Sequence, residues 1–452
     1  MPRTVLPFLA IGSLVALAAP ACGSSNTAAP LTNGASDAGP STDDAASDAA
    51  TATVDAPADV GPDVDNGSPS TNYPAPHPPL PTLTNAAGGP VLAQPKIALV
   101  FYPGYTYQHD LETLAGSVGA TSYWSAATSE YGVGPLSFTQ SYVLSDEAGA
   151  APTSISDTQI DAFMNAQIAA GTFGTPDPNT VYTIVYPQST TITMQNGPLG
   201  SASSCTSFGG YHSDTTVNGQ NYAYAVIPTC ASFGPLQGID GVTGATSHEW
   251  IEAVTDPYPS TNNGQDSAYS GVDNDHFVWE VMGGGEAGDL CVQESGAFFK
   301  PMGFAYTVQR TWSNKLAMAS HDPCAPDLPA PFFDSAPVLP ETVTFNSQLT
   351  GSVTTKGVTI PVGKSKTIEV DLFSDAATSG PWKVQALDAL QALYNQPASM
   401  SFQWDRDSGV NGEKLHLTIT VQKSSAFGGA HPFILVSTLG QTHNLWPALV
   451  VE

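Results

Sequence analysis

From residue 97 onward the chain is a succession of short apolar runs punctuated by turn residues. Residues 97–102 are apolar throughout and are closed by Pro103 and Gly104, which predicts a buried strand. Residues 180–186, β-branched and aromatic and ended by Pro187, predict a second, and residues 221–228 a third. Residues 110–118 and 156–170 have helical period. In the latter Ser156 fits an N-cap, and Ile160, Phe163, Met164 and Ile168 make one apolar face. Strands interleaved with helices predict an α/β or α+β domain over residues 89–330. The texture then changes. Residues 358–362, 367–373, 415–421 and 432–438 are β-rich runs between Gly- and Asn-bearing turns, which predict a small all-β, immunoglobulin-like sandwich over 335–452. Residues 386–394 have helical period, so the sandwich is expected to carry one helix.

The N-terminus follows a different pattern. Arg3 precedes an apolar stretch over 5–19, and Ala19 and Ala21 are small residues before Cys22. This predicts a signal peptide over 1–21, with Cys22 as the lipid-bearing first residue of a lipoprotein. Residues 22–88 are mostly Ala, Ser, Thr, Pro, Gly, Asp and Asn, too polar and too small to bury a core. They are expected to form a disordered, self-repelling spacer that holds the folded part off a membrane. No later segment reads as a transmembrane run.

Composition sharpens this picture. The formal net charge is −28, from 40 Asp and Glu against only 12 Lys and Arg. That balance disfavours nucleic acid as a partner. Seven of the twelve cations lie between Lys356 and Lys423, in the predicted sandwich, whereas residues 97–299 contain none and carry twenty carboxylates. Carboxylates buried in such a stretch must be solvated, protonated or bound to a metal. An exported chain keeps Cys205, Cys230, Cys291 and Cys324 in an oxidising compartment. Of the three connectivities, the one that joins neighbours, Cys205–Cys230 and Cys291–Cys324, is preferred.

The sharpest chemical signal is Ser247-His248-Glu249-Trp250-Ile251-Glu252, inside a helix predicted over 241–254, capped by Asp240 or Thr243 and ended by Asp256-Pro257. His248 and Glu252 are four residues apart and stack on one face. This is the spacing of H-E-x-x-H zinc helices, with Glu252 in place of the second histidine and Glu249 placed as general base on the attacking water. A third ligand must come from elsewhere. Glu286, in the run Gly283-Gly284-Gly285-Glu286-Ala287-Gly288-Asp289-Leu290-Cys291, is ranked first. Asp289 is then an outer-shell partner, and His212 a rival ligand or a transition-state donor. Trp250, Trp279 and Trp312 are expected in the core or as cleft walls, and His276 and His321 on the surface. Two weaker readings are a glycosidase-type pair of Glu249 with Glu280 or Glu286, and a Ca²⁺ loop at Asp266, Asp273 and Asp275.

The order of short motifs adds a resemblance. Tyr123-Trp124, Gly210-Tyr211-His212, Ser247-His248-Glu249, Thr255-Asp256-Pro257, Glu286 to Cys291 and Val308-Gln309-Arg310 through Asn314, set among the strands named above, are similar to the phosphate-induced (Exordium-like) proteins of plants and their bacterial relatives. The similarity covers about residues 89–325. It implies an extracellular protein with a zincin-like H-E-x-x-E helix at His248, Glu249 and Glu252, and an E-x-x-D-L-C element at Glu286, Asp289 and Cys291.

The expected architecture is therefore an α+β zincin-like domain followed by the sandwich. The expected function is that of an exported, lipid-anchored zinc hydrolase of peptidase type, with Zn²⁺ on His248, Glu252 and Glu286. It would act on a peptide or cell-surface polymer at the outer membrane, at the cell surface or after secretion. The alternative is a non-catalytic cell-surface binding protein that keeps the zincin-like fold and attaches through its sandwich to polysaccharide or protein.

Overall fold

A computed structural model describes residues 65–145, 150–195, 201–347, 351–394, 396–425 and 427–452. The signal segment, Cys22 and the spacer as far as residue 64 lie outside the described residues. The first structural layer is a five-stranded sheet in the order Ser137–Val143, Lys96–Phe101, Thr180–Tyr186, Gln220–Pro228, Tyr211–Val217. The first four strands run parallel and Tyr211–Val217 is an antiparallel edge. Every residue of Thr180–Tyr186 is buried, as expected for a central strand covered on both faces.

The period of two along these strands sorts their side chains between two faces. Ile97, Leu99, Phe101, Val181, Val185, Ala225 and Ile227 join Trp250, Ile251 and Val254 of the helix Gly238–Thr255 and Leu111, Leu114 and Val118 of the helix Gln108–Val118. Ala98, Val100, Tyr102, Tyr182, Ile184, Tyr224 and Val226 instead meet Ile160, Met164 and Ile168 of the helix Asp157–Ala169. That helix starts as its sequence indicates: Ser156 accepts from the Gln159 backbone, and the Gln159 side chain accepts from the Ser156 backbone.

The helix Gly238–Thr255 begins three residues earlier than its sequence pattern suggests, and neither Asp240 nor Thr243 caps it. Gln237 precedes it without a side-chain cap bond, and Gly238 at φ +54° makes the turn. Asp240 is drawn outward to Thr307 and Lys300, while the Thr243 hydroxyl donates to the Ile239 carbonyl.

The C-terminal part is a β-sandwich. One sheet has the order Phe333–Pro337, Ser365–Ser374, Lys414–Val421, Met400–Trp404. The other has six strands, Glu341–Ser347, Gly351–Thr359, Thr442–Val451, Ala430–Leu439, Trp382–Asp388 and Ser408–Gly409. Lys414–Val421 alternates strictly between half-buried and buried positions, with Leu415, Leu417, Ile419 and Val421 inward. The helix expected over 386–394 is split. Ala386, Leu387 and Asp388 finish a strand paired with Phe433–Leu435, and the helix is only Ala389–Tyr394. Cross-strand pairing overrides local helical period here.

Two organisational expectations change. Residues 66–88 do not read as spacer in the structure, because the fold satisfies their polar groups and buries Ala75, Leu80 and Leu83. The Asn411 side chain accepts from the Ala75 backbone and donates to the Ser70 and Asn72 carbonyls. Asp273 accepts from Thr82, and Asn314 accepts from the Leu83 backbone. Residues 66–452 also belong to one compact unit, with a core that runs without interruption past residue 330. Trp279 packs edge-on against both Trp312 and Trp446, and Trp446 against Phe373, all with ring centroids within 6.2 Å.

Candidate metal centre

The helix Gly238–Thr255 is buried on nearly all sides. Its apolar side meets the sheet, where the Trp250 indole donates to Thr183 Oγ1 at 2.8 Å. Its polar side presents His248, Glu249 and Glu252, each at most 4% exposed. Four-residue spacing brings His248 Nε2 to 3.0 Å from Glu252 Oε2, as the stacked-face argument requires. The edge strand Tyr211–Val217 supplies His212, and the segment after the helix Phe277–Gly283 supplies Glu286 and Asp289.

The hydrogen bonds around His248 settle the role of its Nδ1. Gln309 Nε2 donates to the Gly288 carbonyl at 2.6 Å, so Gln309 Oε1 faces His248 Nδ1, 3.0 Å away. An amide oxygen only accepts, so Nδ1 carries a proton and Nε2 points toward the carboxylates. Nε2 makes no hydrogen bond, and neither does Asp289 Oδ1, 3.8 Å away. Both atoms are shielded from solvent. Glu252 Oε1 accepts from the backbone N–H groups of Gly288 and Asp289, 3.1 Å each, which leaves Oε2 turned to the same spot.

Glycines let the pieces approach. A Cβ on Gly288 would lie 2.5 Å from His248 Nδ1 and 2.8 Å from Glu252 Oε1, and one on Gly210 would lie 2.7 Å from Glu249 Oε1. Gly284 has φ +104°, and a Cβ there would stand 1.9 Å from Asp289 Oδ2.

Three overlapping ligand groups result: His248 with Glu252 and Asp289, His212 with Glu249 and Glu252, and His212 with Asp256 and Glu286. These groups could hold a metal ion. The expected partner of His248 and Glu252 was Glu286, but the structure puts Asp289 in that place. Glu286 Oε1 is 3.5 Å from His212 Nε2, and Glu286 groups with His212 and Asp256. His212 Nδ1 lies 3.7 Å from both Glu249 Oε2 and Glu252 Oε2, at the centre of the cluster. A single turn of backbone separates Glu286 from Asp289, and spacing alone could not rank them.

Five buried carboxylates share this volume with two imidazoles and no Lys or Arg. Burial by itself would push the His248 imidazole down, but the charges of Glu252, Glu249 and Asp289 outweigh it and raise it to about 10. Burial, then the charge of Glu252, holds Glu286 and Asp289 well above the ordinary carboxyl range. Burial also raises Glu249, against the pull of the nearby His212 and His248 imidazoles. Glu252 alone among the ligand carboxylates is lowered: its burial is outweighed chiefly by the charges of His248, 3.0 Å away, and His212. Buried carboxylates crowded against one another are what a divalent ion would relieve.

The remaining candidates separate cleanly. Cys205 pairs with Cys230 and Cys291 with Cys324, which points to an oxidising compartment, and Cys291 anchors the turn that carries Asp289. No helix among the described residues is long and apolar enough to cross a membrane. Trp250, Trp279 and Trp312 are core residues. Asp266, Asp273 and Asp275 form no ligand group among the described residues: Asp273 accepts from Thr82 and faces His276, and Asp266 accepts from Asn262. Glu280 stands outside the three ligand groups. His321 is half-exposed beside Asp375, and His276 is largely covered. Gln309 and Asp256 were not singled out as site residues from the sequence, although both lie in motifs of the resemblance.

No family model and no curated protein matches the chain. Among solved structures, the crystal structure of the titin M3 domain is similar over 21% of this chain and 85% of that chain, with 13% identity and a TM-score of 0.14.

Proposed function

We propose that this chain is an exported, lipid-anchored zinc-dependent hydrolase of peptidase type, related to the Exordium-like proteins, with the metal on His248, Glu252 and Asp289. The observation that carries the reading is the pair of orphaned buried atoms, His248 Nε2 and Asp289 Oδ1, 3.8 Å apart with Glu252 Oε2 beside them. Native proteins rarely leave such atoms without a partner. One imidazole with two carboxylates is a competent zinc donor set, and the Gln309 contact is the kind of outer hydrogen bond that orients a ligand histidine.

Bound zinc would supply Lewis acidity and a more acidic water at neutral pH. The protein's own groups would do the rest. Glu249, one residue beyond His248 and raised by burial, is suited to take a proton from the attacking water and return it to the leaving amine. His212, held at Nε2 by the Asp256 carbonyl at 3.1 Å, stands with Nδ1 3.7 Å from the Glu249 carboxylate and would act on it electrostatically. The exposure of these side chains favours a second reading as well. With Glu249 only 2% exposed, the same residues would suit a structural cation in a non-catalytic surface protein.

Metal analysis of the purified protein tests the first claim: stoichiometric zinc is expected, lost in His248→Ala together with thermal stability. A peptide-library assay of wild type against Glu249→Gln separates the two readings. Turnover confined to wild type supports the hydrolase, and equal absence of turnover with zinc present leaves the structural-cation reading.

A further inference from the structure

A metal on His248, Glu252 and Asp289 leaves His212 outside its donor set, although the imidazole stands in the same cluster. His212 is 8% exposed, and its Nε2 N–H donates to the Asp256 carbonyl at 3.1 Å, since a carbonyl only accepts. In the neutral ring the free electron pair is then on Nδ1. Nδ1 faces Glu249 Oε2 and Glu252 Oε2, each 3.7 Å away and too far for a hydrogen bond, and has no hydrogen-bond partner among the described residues. That separation suits two donors of one ion: ligands about 2.1 Å from a tetrahedral zinc stand roughly 3.4 Å apart. The two glutamates also look both ways. Glu249 turns Oε2 to His212 and Oε1 to His248 Nε2, 3.9 Å off. Glu252 Oε2 stands 3.0 Å from His248 Nε2 as well as 3.7 Å from His212 Nδ1. Its other oxygen is taken by the Gly288 and Asp289 backbone N–H groups, so Oε2 alone is left to be shared.

Carboxylates set between two imidazoles in this way have the placement of bridging ligands in a two-ion centre. We propose that a second divalent cation of zinc type binds His212 Nδ1, Glu249 Oε2 and Glu252 Oε2, shares Glu252 with the first ion, and silences the site by engaging its general base. The donor set, one imidazole and two carboxylates, repeats that of the first ion. Charge favours a second occupant. Ligand imidazoles are neutral, and one divalent ion offsets two charges among five buried carboxylates that have no Lys or Arg with them. The second ion binds more weakly than the first, because the two repel each other and draw on the same Glu252 oxygen. A Glu249 carboxylate held on that ion cannot take a proton from the attacking water, so hydrolysis rises with the first equivalent of zinc and falls with the second.

The silencing rests on the proposed hydrolase, and the second site rests on the first ion; the test separates all three. Chelator-treated full-length protein is titrated with zinc by calorimetry, as wild type, His212→Ala and Asp289→Asn, and peptide turnover is followed along the same titration. Wild type is expected to take two ions, the second at least about tenfold more weakly, and His212→Ala to take only the first. X-ray absorption of doubly loaded wild type is expected to show a zinc neighbour at roughly 3.5–4 Å, the spacing of bridged pairs, and needs no variant to fold. A single ion in wild type, a second ion that persists in His212→Ala, or the absence of that zinc neighbour overturns the second site. No ion at all, or a single ion that His212→Ala removes and Asp289→Asn keeps, overturns the first ion with it. Turnover undiminished at two equivalents overturns the silencing. No turnover at any loading sinks the hydrolase, while stoichiometry and the zinc–zinc distance still decide the pair.

Discussion

Gln309 Oε1 sits 3.0 Å from His248 Nδ1, and this contact decides which imidazole nitrogen faces the carboxylates. Gln309→Leu keeps the bulk and removes the acceptor. Zinc affinity is expected to fall about 10- to 100-fold, in the range for lost outer-shell partners, with little change in fold. Competition with a fluorescent chelator measures it, and an unchanged affinity would show that the tautomer is set by something else.

Asp289 and Glu286 make opposite predictions. Asp289→Asn should reduce zinc affinity by more than about 100-fold, beyond an outer-shell effect, because it weakens a ligand. Glu286→Gln should keep the metal, because Glu286 lies with His212 and Asp256. Elemental analysis after dialysis reads both, and the reverse pattern would restore Glu286 as the third ligand.

Gly288 leaves no room for a side chain against His248 and Glu252. Gly288→Ala is expected to cost about 1–3 kcal/mol in stability, as overpacking does, and to weaken metal binding with it. Urea unfolding of metal-free protein isolates the first effect. A change of under about 0.5 kcal/mol would mean that the segment yields without strain.

Asp334 gives a pH test far from the metal. Its buried carboxyl accepts from the Ser335 backbone and the Ser437 hydroxyl, yet burial outweighs both and lifts it from 3.8 to about 7. The folded state therefore holds a proton that the unfolded chain has already released. Its contribution to stability is complete below pH 3.8, declines as pH rises toward about 7, and is flat above that. Asp334→Asn should remove this decline and gain on the order of a few kcal/mol relative to wild type by pH 8. Urea midpoints between pH 4 and 8 check the sign, and a difference that does not change with pH would refute it.

Several features were legible in the residues themselves. The three inner parallel strands announced themselves as apolar runs because both their faces are covered, and Ser156 with Gln159 marked a helix start through groups only three residues apart. His248 and Glu252 could be paired for the same reason: helical geometry converts a sequence spacing into a distance. Where neighbours across a sheet decided the outcome, as at Ala386 to Asp388, local period misled. Residues 66–88 looked like spacer because their composition cannot build a core, but they borrow one, and Asn411, more than 330 positions away, satisfies their backbone.

What the sequence determined by itself was the chemistry available: a histidine and carboxylates on one helical face, more acids nearby, and no cation to answer them over 203 residues. Those facts depend on composition and on short-range geometry. Only the tertiary structure decided which acid stands beside His248, which of its nitrogens is free, and that His212 faces Glu249 and Glu252 from the edge strand. Each depends on contacts between segments 21 to 61 residues apart in the chain. Such contacts are set by how the sheet, the helix and the segments after it pack, which no local spacing encodes.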